Sequence, residues 1–228
     1  MHQGTLYVVA TPIGNLEDIT LRALRILKEV DVILCEDTRT TKKLLQHYEI
    51  TTKTESFHTH STDEKINAII TSLESGTKMA MVTDAGTPGI SDPGALLINR
   101  IITSQKSVKI EAIPGPSALT AAFSISGVIT SDFTFLGFIP HKKGRETMFK
   151  EITESERSVV FYESTHRILK TLKSLSEHFK TERKISVARE LTKIYEEVKC
   201  DTPQNLFNYF TENPVKTKGE FVCIVWPK

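Results

Sequence analysis

The segment Asp84-Ala-Gly-Thr-Pro-Gly-Ile-Ser-Asp-Pro-Gly94 concentrates the residues best suited to holding a ligand. Its three glycines let backbone approach a bound molecule and take positive φ, while its two prolines stiffen the loop. It follows an apolar run and opens a helix. It is also longer than the roughly two to six residues an ordinary connection in an α/β unit needs. A rigid loop at the carboxyl end of a strand stands where open α/β sheets bind their ligands.

A second group with chemical potential is Glu36, Asp37, Arg39, Lys42 and Lys43, with Thr38 a cap for a helix over Thr40 to Tyr48. The acidic residues complement the positive end of that helix. Arg39 does not, and an arginine there can meet a phosphate through two parallel hydrogen bonds. His141-Lys142-Lys143-Gly144-Arg145 is a basic loop between a strand and a helix, the best phosphate-contacting patch in the second half. Thr11-Pro-Ile-Gly-Asn15, at the end of the first strand, reads equally well as a plain turn or as a ligand wall.

Other chemistries find no support. His58, His60 and His166 lack metal-ligand spacing, and Cys35, Cys200 and Cys223 form no CxxC pair, so no metal is expected. The odd number of cysteines also argues against a disulfide framework and fits a reducing cytoplasm. No GxGxxG follows the first strand, and no GxxxxGK[ST] occurs, which excludes the dinucleotide and triphosphate fingerprints.

The elements that must position these residues can be read from periodicity. The first half alternates short apolar runs (Leu6 to Ala10, Asp31 to Cys35, Lys78 to Thr83, Val108 to Ile113) with helical patterns. One helix is expected over Asp18 to Val30, and the clearest spans Ser61 to Ser75. There Ser61 and Glu64 form a capping box, Ile66, Ile69, Ile70 and Leu73 make the apolar stripe, and Gly76 ends it. Asp92 as N-cap and Pro93 at the first position start another helix. This alternation predicts a mostly parallel sheet covered on both faces.

After Pro114 to Gly127 the pattern becomes a mixed-sheet α/β domain. Strands are expected over Phe133 to Ile139, Ser158 to Tyr162, Ile185 to Arg189, Ile194 to Cys200 and Glu220 to Trp226, and helices near 144–154, 165–179 and 203–212. Two adjacent runs, Ile185 to Arg189 and Ile194 to Cys200, suggest an antiparallel hairpin. The expected domains are residues 1–117 and 118–228.

With 228 residues, 39% hydrophobic and 25% charged, the composition is that of a soluble globular protein with a real core. Its N-terminus has no leader pattern, and no run reaches the roughly 20 apolar residues of a membrane helix. The formal charge of +1 means that any nucleic-acid contact must come from local basic patches.

Seven segments carry a resemblance across nearly the whole chain: Leu6 to Thr20, Glu36-Asp-Thr-Arg39, Asp84 to Gly94, Pro114-Gly-Pro-Ser-Ala118, Phe161-Tyr-Glu-Ser-Thr-His-Arg167, Ala188-Arg-Glu-Leu-Thr-Lys193 and Lys218-Gly-Glu-Phe-Val222. In this order they resemble the bacterial 16S ribosomal RNA 2′-O-ribose methyltransferase I family of the tetrapyrrole-methylase superfamily. The resemblance implies a two-domain tetrapyrrole-methylase fold, S-adenosylmethionine bound in a cleft between the domains, a cytidine ribose of 16S rRNA in the small subunit as substrate, and a cytoplasmic homodimer. Family members commonly continue beyond the Lys218-to-Val222 strand into a further small segment. RNA contacts made there would lie outside these residues.

Carried over by position, the resemblance places the cofactor against Pro12, Asp84, Ala85, Gly86, Thr87, Gly89, Ile90, Ser117, Ala118, Phe161, Tyr162, Ala188, Arg189, Glu190, Gly219, Glu220 and Phe221. For Phe161 and Phe221 taken singly, core packing is the better reading. Catalysis is expected from Asp37, Arg39, Glu163 and His166, with Glu163 ahead of Asp37 as proton acceptor. RNA contacts are expected from Arg39, Lys42, Lys43, Lys142, Lys143 and Arg145. The competing readings are a tetrapyrrole C-methyltransferase and a non-catalytic RNA-binding assembly protein.

Overall fold

The structure, a computed structural model, describes residues 4–58, 61–92, 94–104, 106–179 and 182–228. The chain divides into two compact units, residues 1–117 and 118–228.

The first unit is a five-stranded, all-parallel sheet in the order β3-β2-β4-β1-β5, formed by β1 (Thr5–Val9), β2 (Val32–Cys35), β3 (Lys53–Ser56), β4 (Lys78–Val82) and β5 (Lys109–Ile113). The helices α1 (Leu21–Glu29) and α2 (Thr38–His47) share one core with Val9, Ile33 and Val82. On the other face α3 (Asp63–Glu74) and α4 (Gly94–Thr103) share a second core with Leu6, Leu34 and Met81. Successive strand residues serve opposite faces, so these near-continuous apolar runs are what a sheet covered on both sides requires.

Local signals set the helix ends. Thr20 Oγ1 accepts from the Ala23 amide to start α1. At the far end of α3, Gly76 takes φ +101° while the Thr77 amide donates to Ser72 O, which closes the last turn. Two expected caps are corrected. The helix after β2 begins at Thr38 and is capped by Asp37, whose carboxylate accepts from the Arg39 amide. In α3 the cap is Thr62, which accepts from Lys65 N, while the Ser61 hydroxyl accepts from the His58 amide. Pro93 and His60 lie outside the described residues.

The second unit holds a mixed sheet in the order β6-β7-β10-β8-β9, from β6 (Phe133–Phe138), β7 (Ser158–Ser164), β8 (Ile185–Arg189), β9 (Glu197–Asp201) and β10 (Glu220–Val225). β6 and β7 are parallel and the other pairs antiparallel, including the expected β8–β9 hairpin. The second strand of that hairpin starts at Glu197 rather than Ile194. The helices α6 (Arg145–Glu154), α7 (Ile168–His178) and α8 (Pro203–Glu212) cover one face over Val159, Phe161, Val187, Phe221 and Cys223. On the opposite face Ser186 Oγ donates to Ser126 O, just past the end of α5 (Ala118–Ile125). Neither α5 nor β3 is expected from sequence.

Candidate active site

In a parallel sheet every strand delivers its following loop to the same edge. The helices that follow β1 and β2 cover one face, whereas the helix that follows β4 covers the other. Because β4 lies between β2 and β1, the chain diverges on both sides of its carboxyl end and leaves a crevice there. The loop Asp84 to Gly94 begins at that point.

Hydrogen bonds tie the loops of this edge together. Thr11 and Gly86 exchange both backbone bonds (2.9 and 3.0 Å), and Thr11 Oγ1 donates to Thr83 O at 3.0 Å. Thr87 Oγ1 donates to Pro116 O at 3.1 Å, which fastens the loop after β4 to the loop after β5. The Asp37 amide donates to Asp84 Oδ1 at 3.2 Å, which adds the loop after β2. Gly86 sits at φ +88°, where a side chain would be strained although space for a Cβ exists. Pro12 is half-buried beside this zipper, Ala85 and Ile90 are exposed, and Gly89 also takes a positive φ of +86°. Ser117 and Ala118 follow the tied Pro116, with Ala118 opening α5.

The edge is acidic. Asp37 is held near pKa 2, first by the side-chain hydrogen bonds from Arg39 and then by the Arg39 amide. Asp84 is pushed above the usual carboxylate range, chiefly by burial. Asp92 is pushed up to about 6, first by burial and then by the charges of Glu36 and Asp84, against a hydrogen bond with Thr83 that pulls it down. The Thr83 hydroxyl also donates to Glu36 Oε2 at 3.3 Å. A hydroxyl has one proton to give, so Thr83 donates to Glu36 or to Asp92 but not to both at once. Asp92 was read from sequence only as a helix cap. The signal that would have found it is a carboxylate within a few residues of the ligand loop's glycines.

Arg39, Lys42 and Lys43 are exposed and spaced i, i+3 and i+4 along α2, so they share a face. The Arg39 side chain is 88% exposed and paired to Asp37 at 2.8 Å. Among the described residues no group of His, Cys, Asp and Glu is arranged to hold a metal ion.

The second unit separates its expected site residues by strand alternation. Val159, Phe161 and Glu163 of β7 point to the helix-covered face, as do Phe221 of β10 and Arg189 of β8. Phe161 and Phe221 are fully enclosed in the core, so only their backbone can meet a ligand. Tyr162 and Ala188 occupy alternate positions, and Tyr162 meets Phe135 and Phe138 edge-on. The Arg189 guanidinium donates to Lys218 O and Tyr195 O. Glu190 takes φ +51° and its Oε1 accepts from Lys193 Nζ and the Glu220 amide. Gly219 is required there, because a Cβ would stand 2.5 Å from the Glu190 side chain.

Two expectations are corrected here. Glu163 was expected at the acceptor ribose, but its side chain is 0% exposed: Oε1 is ion-paired to Arg167 Nε and accepts from the Ser164 amide, both at 2.8 Å, and Oε2 accepts from Thr171 Oγ1 at 2.7 Å. Arg145 was expected to contact phosphate, but it is buried and donates to Pro140 O and Thr171 Oγ1. Its partners bring it into the Glu163 network, and Arg167 Nη1 donates to Ile139 O. These groups clamp the two ends of the loop that displays His141, Lys142 and Lys143 to solvent. His166 is exposed in the turn before α7.

Comparison with known proteins places this architecture. A model of the tetrapyrrole (corrin/porphyrin) methylases matches residues 5–205. The chain is 44% identical over 223 residues to ribosomal RNA small subunit methyltransferase I of Synechocystis sp., covering 97% of this chain and 78% of the relative. It is 44% identical over 222 residues to the protein of that name from Thermotoga maritima, covering 97% and 98%. Among solved structures it is similar to a diphthine synthase (TM-score 0.75, 16% identity, 98% and 90% covered) and to uroporphyrin-III C-methyltransferase of Thermus thermophilus (TM-score 0.63, 18% identity, 98% and 94% covered). The fold is thus that of the tetrapyrrole methylases, and this chain, a methyltransferase, belongs to the ribosomal RNA small subunit methyltransferase I family.

Proposed function

We propose that this chain methylates the 2′-hydroxyl of a cytidine ribose in the 16S rRNA of the small ribosomal subunit, with S-adenosylmethionine as the methyl donor. The observation that carries the reading is the carboxylate set at the mouth of β4. Asp84, Asp92, Glu36 and Asp37 make a negative crevice on a glycine-bearing loop, suited to a cofactor with a sulfonium and an ammonium and ill suited to a polyphosphate. The relatives' names supply the ribosomal RNA.

When bound, S-adenosylmethionine supplies an electrophilic methyl group on a sulfonium. In the first unit, the backbone of Ala85, Gly86 and Thr87, with Pro12 and Ile90, forms the wall that holds it. Alignment contributes most, since well-oriented reactions gain about 7–11 kcal/mol while a general base gives about 10²–10⁴-fold.

A ribose hydroxyl must give up its proton as it attacks. Glu163 is enclosed by donors, and Asp37, held near 2, is too weak a base. Asp92, near 6 and linked through Thr83 to Glu36, is ionised at neutral pH while retaining useful basicity, and we assign it the proton. Arg39, Lys42 and Lys43 on α2 and Lys142 and Lys143 on the β6–α6 loop take the RNA phosphates. Asp37 anchors Arg39 among them. The same reading makes the protein a cytoplasmic homodimer, which light scattering at micromolar concentration tests.

The deciding assay supplies tritiated methyl donor with small subunits or with uroporphyrinogen, followed by nucleoside analysis of the RNA. Label in 2′-O-methylcytidine is expected. Label in the tetrapyrrole, in a base, or in neither substrate overturns the proposal.

A further inference from the structure

A cavity of about 790 Å³ lies within the second unit, next to the β8–β9 turn and the segment leading into β10. Its walls include Ile194, Tyr195, Glu197, Glu212, Val215 and Lys218. Ile194 is 89% exposed, Tyr195 68% and Val215 75%. Large apolar side chains held open around one cavity are an expense in solvent unless something covers them.

The turn that carries them is built to keep them there. Glu190 and Thr192 both take positive φ, +51° and +64°, which is strained for residues other than glycine. The strain is held by neighbouring bonds: Arg189 Nη1 donates to Tyr195 O at 3.0 Å, the Thr192 amide to Glu196 Oε2 at 2.6 Å, and Lys193 Nζ bridges Glu190 and Glu220. The backbone that carries Tyr195 is therefore a fixed support, so that backbone ordering is already spent on folding.

The polar groups around the cavity point to the class of ligand. Glu197 Oε1 accepts from Lys216 and Tyr209, which fixes this carboxylate in the cavity wall. The Glu212 carboxylate and the Lys218 ammonium have no side-chain partner among the described residues and stand available at the rim. An aromatic face, the unpaired Glu212 carboxylate and one free ammonium match, in turn, a base's ring, its exocyclic amino hydrogens and a phosphate. Nearly balanced charge on the walls favours a largely neutral group over a polycationic peptide.

We propose that this cavity binds one nucleotide of single-stranded RNA carrying an amino-bearing base, stacked on Tyr195 with its phosphate at Lys218. This rests on RNA being the substrate, and it adds a recognition site remote in sequence from the acidic loop of the first unit.

The test measures binding of the full chain to labelled oligocytidylate and oligouridylate of eight nucleotides by fluorescence anisotropy. Tyr195→Ala should weaken oligocytidylate binding about 5- to 150-fold, the share one base–aromatic stack carries, while Tyr195→Phe keeps wild-type affinity. Glu212→Gln should narrow the preference for oligocytidylate. If wild type binds neither oligonucleotide nor small subunits, the RNA reading itself fails. If wild type binds oligocytidylate and Tyr195→Ala binds it equally well, this inference alone is overturned. Loss of small-subunit binding with oligonucleotide affinity intact would make the cavity a protein contact and overturn it too.

Discussion

Glu163→Gln separates a chemical role from an architectural one. The wild-type carboxylate is wholly enclosed and is the anionic partner of Arg167, with Arg145 linked to it through Thr171. An amide in its place removes the negative charge from between two guanidinium groups. It also sets an N–H₂ against the Arg167 guanidinium and the Ser164 amide donor, or against the Thr171 hydroxyl. Removing one member of a buried ion pair costs about 3–5 kcal/mol. In a protein of this size about 1 kcal/mol moves the midpoint by roughly 2–4 °C, so a fall of about 6–20 °C is expected. Trp226, the chain's single tryptophan, donates Nε1–H to Ser186 within the second unit, so its fluorescence follows the unfolding of that unit directly. Single-turnover methyl transfer, measured well below the midpoint, should stay within a few-fold of wild type. An unchanged midpoint together with a 10²–10⁴-fold slower transfer would refute the clamp and return Glu163 to the chemistry.

Asp92→Asn should slow methyl transfer about 10²–10⁴-fold and abolish a limb of kcat/KM that rises with pH through about 6; an unchanged profile would place the base elsewhere. The folded pKa of Asp92 is raised, so between about 4 and about 6 the native state binds more protons than the unfolded one, and wild-type stability falls as pH rises through that window. Asp92→Asn should therefore be the more stable protein above about pH 6 and gain nothing below about pH 4 in urea titrations. The Arg39/Lys42/Lys43 triple alanine variant should flatten the log–log salt dependence of single-stranded RNA binding by about 2, at about 0.7 per phosphate lost, whereas Arg145→Ala should lower the midpoint of the second unit and leave the slope alone. Gly86→Val, forced to a φ of +88° where the Thr11 bridge forms, should lose S-adenosylmethionine binding by calorimetry while Trp226 reports an undisturbed second unit. Wild-type affinity in that variant would remove the loop from the cofactor site.

Sequence patterning made most elements legible, and the misses share a physical cause. Ile66, Ile69, Ile70 and Leu73 repeat at helical spacing because one face of α3 is buried, and all four are in the core. β3 reads Lys-Thr-Glu-Ser, with no apolar alternation, because it is an edge strand held to β2 by its backbone, with the Cys35 thiol also donating to Glu55 O. α5 is almost continuously apolar, Ala-Leu-Thr-Ala-Ala-Phe-Ser-Ile, and so lacks the periodic polar face by which a helix is recognised. Arg145 closes a basic run in which the preceding lysines are exposed. Nothing in the run distinguishes the one guanidinium that turns inward to Thr171.

For the candidate site the limit is sequence distance. Strand alternation already places Glu163 on the face shared by Val159 and Phe161, so its inward direction could have been read; its engagement by Thr171 across the turn into α7 could not. The first-unit edge is harder still. Thr11 reaches Thr83 across 72 positions, Thr83 reaches Glu36 across 47, and Thr87 reaches Pro116 across 29. In each case a threonine hydroxyl just beyond or within a strand-end loop satisfies a group of the neighbouring loop. Each pairing exists only because the order β2-β4-β1-β5 sets those strand ends side by side. The glycines announce that the loop can approach a ligand, but its rigidity comes from these hydroxyls, and the raised basicity of Asp92 comes from its burial and from Glu36 and Asp84 meeting at one strand end. A motif can therefore locate the wall of such a site, while the proton acceptor is defined by topology and must be read from the folded chain.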